Sequence, residues 1–260
     1  SLTGQITIPT GKISAAITLS ASIDPLDEND EVVTVDIQSV VNGAKSTAAL
    51  ARTVTIMDDD DFPAVTLSVG ASSIEENTGA TTTPVTVRLS ALSGRDVTVF
   101  LSKSGTATEN TDYTLPTSIT VSAGTFSSFV TLSAIGDPIN EDLETAIFQI
   151  STVTNGTTSG PQQKIVSIIN DDLPPTVTLS VDSTSINETG GIANVTATLS
   201  LVSGRKVTVT LSKQGTASDN TDYTLNGTIT ITQGNGSATV TLAATHDLLN
   251  EAEETVILDI

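Results

Sequence analysis

The chain has 260 residues and a formal charge of −20, from 30 acidic and 10 basic side chains. Nucleic-acid phosphates would repel so negative a chain, and the lack of cysteine excludes disulfides, thiol chemistry and Cys-ligated zinc. Aromatic residues make up 3% with no Trp, so a core must come from Val, Ile, Leu and Ala, and no apolar run nears the roughly 20 residues of a membrane-spanning helix.

Taken in chain order, residues 1–61 read as the second half of a repeat unit, ending in the boundary signal DDDDFP at 58–63. Residues 62–172 read as one complete unit. Period-two alternation predicts seven strands in it: 65–69 continuing at 72–75, then 84–90, 96–102, 117–121, 127–134, 144–152 and 163–170. Val85, Val87 and Leu89 are expected to point one way and Thr86, Arg88 and Ser90 the other; Val97, Val99 and Leu101 are expected inside. Residues 173–260 read as a third unit lacking its last strand. A half-sandwich leaves strand edges unpaired, so the chain is expected to be a window on a longer array.

The repeat rests on recurring segments. SGTATENTDYTL at 104–115 returns as QGTASDNTDYTL at 214–225, and LSGR at 92–95 returns as VSGR at 202–205. DPINEDLET at 137–145 returns as DLLNEAEET at 247–255 and is preceded by DPLDENDEV at 24–32. The boundary signal returns as NDDLPP at 170–175. Seven short strands with turns between them predict an all-β fold of two-sheet antiparallel β-sandwiches.

If successive strands run up and down, four separate places in the complete unit fall at one end of the sandwich. They hold Glu75 and Glu76, then Asp112, then Asp137, Glu141 and Glu144, then Asp171 and Asp172. The opposite end holds Asp96 and the Ser93-Gly94-Arg95 turn. Two carboxylates ~5 Å apart repel by about 3 kcal/mol at an effective dielectric of 20, a large share of a domain's ~5–15 kcal/mol. A bound calcium ion (Ca2+) reverses that sign, because it takes several carboxylate and carbonyl oxygens from irregular loops; Mg2+ demands a tighter octahedron. Taken singly, each acid suits a solvated loop end. Their recurrence at matching places suits ligands.

The segments Ser-Ile-x-Glu (73–76, 185–188), Gly-Thr-Ala…Asp-Tyr (105–113, 215–223), Asp-x3-Glu-x2-Glu and the terminal Asp cluster resemble the Calx-beta family across essentially the whole chain. That family occurs in sodium–calcium exchanger regulatory domains, integrin β4 and large bacterial surface proteins. The resemblance implies immunoglobulin-like sandwiches whose calcium-binding members ligate through matching acids. By position, the complete unit would use Glu76, Asp112, Asp137, Glu141, Glu144, Asp171 and Asp172. The first segment would use Asp24, Glu28, Glu31, Asp58, Asp59 and Asp60. The third would use Glu188, Asp222, Asp247, Glu251 and Glu254. Asn170 stands where an Asp is expected and Gly136 where a second Asp often sits, which implies fewer or weaker ions than in the exchanger's sensor domain.

An enzyme is not expected. His246 is the only histidine, which leaves no Ser-His-Asp site. Paired carboxylates could suit a glycosidase, but they recur in every unit and little aromatic surface exists to stack a sugar. Tyr113 and Tyr223 are expected to plug the sandwich end, and the Val-Thr-Val-Thr runs to alternate between core and solvent. The expected function is a calcium-stiffened stalk of an extracellular bacterial adhesin or surface filament; the alternative is a regulatory calcium sensor of a transporter or receptor. Expected partners are neighbouring repeats and, in a surface assembly, other copies, with no nucleic acid and no membrane insertion. The short proline-bearing linkers at 61–64 and 173–176 predict head-to-tail junctions, with Arg95 near Asp58–Asp61 and Arg205 near Asp171 and Asp172.

Overall fold

The structure, a computed structural model, describes residues 4–48, 51–77, 79, 81–248 and 250–260. The alternation becomes burial along every central strand. In the first segment β1 (Glu31–Val35) and β2 (Arg52–Ile56) form an antiparallel pair. The central unit follows with β3 (Val65–Val69), β4 (Ser73–Glu76), β5 (Thr82–Leu89), β6 (Val97–Gly105), β7 (Tyr113–Thr114), β8 (Ser118–Val121), β9 (Ser127–Ala134), β10 (Glu144–Thr154) and β11 (Lys164–Asn170). The third unit holds β12 (Val177–Val181), β13 (Ile192–Leu199), β14 (Val207–Thr210), β15 (Ser212–Gly215), β16 (Tyr223–Thr224), β17 (Thr228–Ile231), β18 (Ser237–Ala244) and β19 (Val256–Asp259).

Two sheets enclose the central core. One runs β3-β5-β9-β7, all antiparallel; the other runs β4-β11-β10-β6-β8, in which β4 and β11 are parallel. The expected first strand is therefore two elements, β3 and β4, that lie in different sheets. Gly70 sits between them, and a Cβ there would stand 2.7 Å from the Pro84 ring, so the crossing needs a residue with no side chain. The core is closed by Val85, Val87 and Leu132 from one sheet against Val99, Ile119, Ala146, Phe148 and Ile168 from the other, all buried. Each such aliphatic or Phe side chain contributes roughly 1.5–3 kcal/mol on leaving water. Thr86 and Arg88 lie on the outer face, as the period requires.

The third unit repeats the first sheet as β12-β13-β18-β16 around a second core of Val195, Ala197, Ile229 and Ile231. Outward threonines pair across its strands: Thr196 and Thr239 hydroxyls stand 2.9 Å apart, as Thr98 and Thr120 do at 3.0 Å in the central unit. Both tyrosines, Tyr113 and Tyr223, are buried at the sandwich end.

Candidate metal centre

The loop between β6 and β7 delivers Asp112 by local chemistry. The Thr108 N–H donates to Asp112 Oδ2 (2.5 Å), the Asp112 N–H donates to the Thr108 carbonyl (2.9 Å), and Asn110 takes a left-handed φ of 66° between them. Asn tolerates that region better than most residues. Gly105 precedes the loop at φ +120°, and a Cβ there would stand 2.0 Å from the Thr145 carbonyl oxygen; Gly215 repeats both values against Thr255. The Gly-Thr-Ala…Asp-Tyr segment is thus a device that lays the loop against β10. Lys103 completes it, donating to the Leu115 carbonyl and pairing with Glu109.

The loop between β9 and β10 delivers Glu141 and Glu144. Asp137 starts it by accepting the Ile139 N–H at 2.7 Å, and the Glu141 N–H donates to Asn170 Oδ1 at 3.0 Å. One oxygen each from Asp112, Glu141 and Glu144 lie within 4.8 Å of one another. The parallel pairing of β4 with β11 brings Glu76 beside them, and Glu76 is 4% exposed with its Oε1 buried and without a hydrogen-bond partner. Asp172 Oδ2 is likewise buried and unpartnered.

Like charges at such range raise each other's pKa, as does burial. Burial, followed by the charges of Glu141, Asp137, Asp112 and Asp172, pushes Glu76 up to about 7. Glu144 is also pushed up to about 7, by burial, by a shared hydrogen bond with Asp112 and by the charges of Asp112, Glu141 and Glu76. Glu141 and Asp172 are raised in the same direction, burial first.

The expected set therefore converges for Glu76, Asp112, Asp137, Glu141, Glu144 and Asp172. Asp171 enters only as a charge beside Asp172. In the third unit Asp222, Glu251 and Glu254 form the same 4.8 Å cluster. Glu188 accepts the Asp247 N–H at 3.1 Å, and both raise the Glu251 pKa behind burial. In the first segment Asp24, Glu31, Asp58 and Asp60 crowd Glu28, whose pKa is raised by burial and then by those charges; Asp59 acts on Asp60.

Arg95 lies at the first junction as expected, with Nη2 3.4 Å from Asp58 Oδ2. Arg205 does not meet Asp171 or Asp172: its guanidinium pairs with Asp142. The reason is local, for Asn140 and Asn170 stand where the first junction has Asp27 and Asp58, the two carboxylates that Arg95 meets. Sequence reasoning also missed Asp27, which is 1% exposed and bonded to Ser93 and Arg95. Its signal was present, since Asp27 and Asn140 stand just before the glutamate of each acidic loop.

The sequence profile of the Calx-beta domain matches residues 58–172 and 170–260. The chain belongs to the Calx-beta family. The matched segments adjoin, so it carries Calx-beta domains in tandem. Similar solved structures include CBD12 from CALX1.2, at 17% identity over 66% of this chain and 72% of that one, with a TM-score of 0.34. The apo-form Calx CBD1 domain shows 20% identity over 43% of this chain and 100% of its own, with a TM-score of 0.36. The calcium binding domain CBD12 of CALX1.1 shows 18% identity over 68% and 73%, with a TM-score of 0.34. No curated protein matches the sequence. Within the Calx-beta frame the donors are all carboxylate oxygens, the preference of a hard cation of calcium type, and the orphaned Glu76 Oε1 is a buried acceptor with nothing yet to accept.

Proposed function

We propose that this chain binds calcium at the acidic end of each Calx-beta unit and that the ions stiffen a head-to-tail rod, the stalk of an extracellular adhesin or surface filament. The observation that carries the metal is the convergence of Asp112, Glu141 and Glu144 within 4.8 Å beside the unpartnered Glu76. Uncompensated, those carboxylates repel; Asp112, Glu141, Glu144 and Glu76 would hold the ion, and the ion would supply the missing positive charge. The rod is supported by the junctions, where the acidic loops of the first segment and the central unit touch the Ser-Gly-Arg turn of the unit that follows. Placement outside the cell is supported by the strongly acidic composition and the tandem repeats. Among the described residues no helix is long and apolar enough to cross a membrane.

Small-angle scattering on the chain in calcium and in EDTA tests the rod, and calorimetry tests the ion. The maximum dimension is expected to hold at its extended value in calcium and its distribution to broaden in EDTA. Equal flexibility in both conditions refutes the stalk, even where calorimetry records calcium binding.

A further inference from the structure

The same triplet, Ser-Gly-Arg, forms both inter-unit contacts, at 93–95 and at 203–205. The Gly94 N–H donates to the Asp27 carbonyl at 2.7 Å, and the Gly204 N–H donates to the Asn140 carbonyl at 3.0 Å. The serine hydroxyls add contacts to the same carbonyls, at 3.4 and 3.3 Å. A Cβ on Gly94 would stand 2.7 Å from Glu28 Cγ, and one on Gly204 2.6 Å from Glu141 Cγ. The backbone part of the two junctions is therefore the same.

Their charge is not. At the first junction Asp27 is buried, its Oδ2 accepting from Ser93 Oγ at 2.9 Å while the Arg95 guanidinium bonds it and reaches Asp58. The guanidinium also lies 5.2 Å from the ring centre of Phe62 in the linker. At the second junction every one of these partners is replaced. Asn140 stands for Asp27, Asn170 for Asp58 and Pro174 for Phe62. The two amides turn inward, both donating to the Asp172 carbonyl, at 2.8 and 3.1 Å. Arg205 turns outward to Asp142, an exposed pair at 47% and 75%, where the first loop has Asn29.

A buried carboxylate needs a counter-charge, whereas a hydrogen-bonded amide does not. We propose that the two junctions are held differently: the first by an ionic latch, in which Arg95 does the work of a cation for Asp27 and Asp58, and the second by the shared Ser-Gly contacts to a backbone carbonyl, with the amides of Asn140 and Asn170 bonded inside the central unit and needing no counter-charge. The first junction then stays docked with no metal present. The second has no buried ion pair across it among the described residues. On the calcium reading above, it is the junction that the ion controls.

The two glycine amides are matched reporters of the two junctions. Their exchange with deuterium, read by NMR on the chain in EDTA, tests the idea, with the core amides of Val85 and Val195 reporting folding. Arg95→Gln is expected to speed Gly94 exchange about tenfold or more, because it strands a buried charge. Arg205→Gln is expected to leave Gly204 within about twofold, as for other exposed pairs. Adding Asp27→Asn to Arg95→Gln removes the stranded charge and is expected to return Gly94 to within about threefold of the parent. Equal responses at the two glycines, or no rescue by Asp27→Asn, overturn the proposal. If Arg95→Gln also exposes the core amides, the double variant decides on the same criterion. Every arm is free of calcium, so a failure of calcium binding leaves this result standing, and the reverse.

Discussion

The central and third units place the same three acids in the same geometry and give them different surroundings. Asp112, Glu141 and Glu144 are buried or half-buried, while Asp222 is half-buried and Glu251 and Glu254 are exposed. Glu76 is hidden at the end of β4, whereas its counterpart Glu188 is 48% exposed in its side chain and lies 3.7 Å from His246. The difference traces to one strand. In the central unit β11 runs parallel to β4 and presses Glu76 onto the cluster. Among the described residues of the third unit no strand takes the place of β11, and residues 185–188 form no strand. The loops by themselves gather three carboxylates; closing the second sheet adds the fourth and removes water.

Calcium itself is expected to act most strongly on that comparison. At a calcium level ~100-fold above Kd the gain is about 2.7 kcal/mol per site, worth several degrees in Tm for a domain of this size. Two calorimetric transitions should separate in calcium, with the closed central unit moving more than the third. A common, unshifted transition in calcium and EDTA breaks the metal assignment.

Glu76→Gln sharpens it next. In calcium the substitution is expected to lower central-site affinity about tenfold, the cost of one carboxylate ligand. In EDTA it is expected to stabilise the central unit by about 1 kcal/mol, since a buried unpaired charge becomes neutral. Glu188→Gln, at an exposed position, is expected to change stability by less than about 0.5 kcal/mol. Opposite signs with and without calcium at Glu76 alone would be the signature; matching signs would argue against it.

Titration offers a third, smaller effect. Glu76 and Glu144 titrate at about 7 when folded and near 4.5 when not, so between those values the folded state binds more protons. The contribution of these two groups to stability in EDTA is therefore expected to be full below about 4.5, to fall as pH rises to about 7, and to be absent above that, the unit remaining folded. Calcium should reverse the slope, because only ionised carboxylates ligate. Denaturant melts across that range, with and without the ion, read both signs.

The smallest expected effect is the control. Asp96 lies at the far end of the central sandwich, accepting the Ala123 N–H at 2.9 Å. Asp96→Asn should leave calcium affinity within about twofold, while Asp137→Ala and Glu141→Ala weaken it at least several-fold. Equal losses at Asp96 and Asp137 would put the acids at both ends and contradict the strand directions.

The strands, the inward set Val85, Val87, Val97 and Val99, and the convergence of the acidic loops were legible along the chain. Side-chain period is a property of each strand, and the loop that presents Asp112 is closed by contacts within a few residues. What local pattern could not settle was which polar groups become buried and whom they meet. Asp27 looks like any loop acid in sequence, and Glu76 is marked there as a ligand position but not as a buried one; the first is buried by the next unit and the second by a parallel strand some ninety residues later in the chain. Arg95 and Arg205 sit in identical Ser-Gly-Arg turns, yet one meets a buried carboxylate across its junction and the other an exposed one. A turn's shape is written in its own residues, but the desolvation and charge it meets are set by the surface packed against it. Only the tertiary structure brings that surface into place.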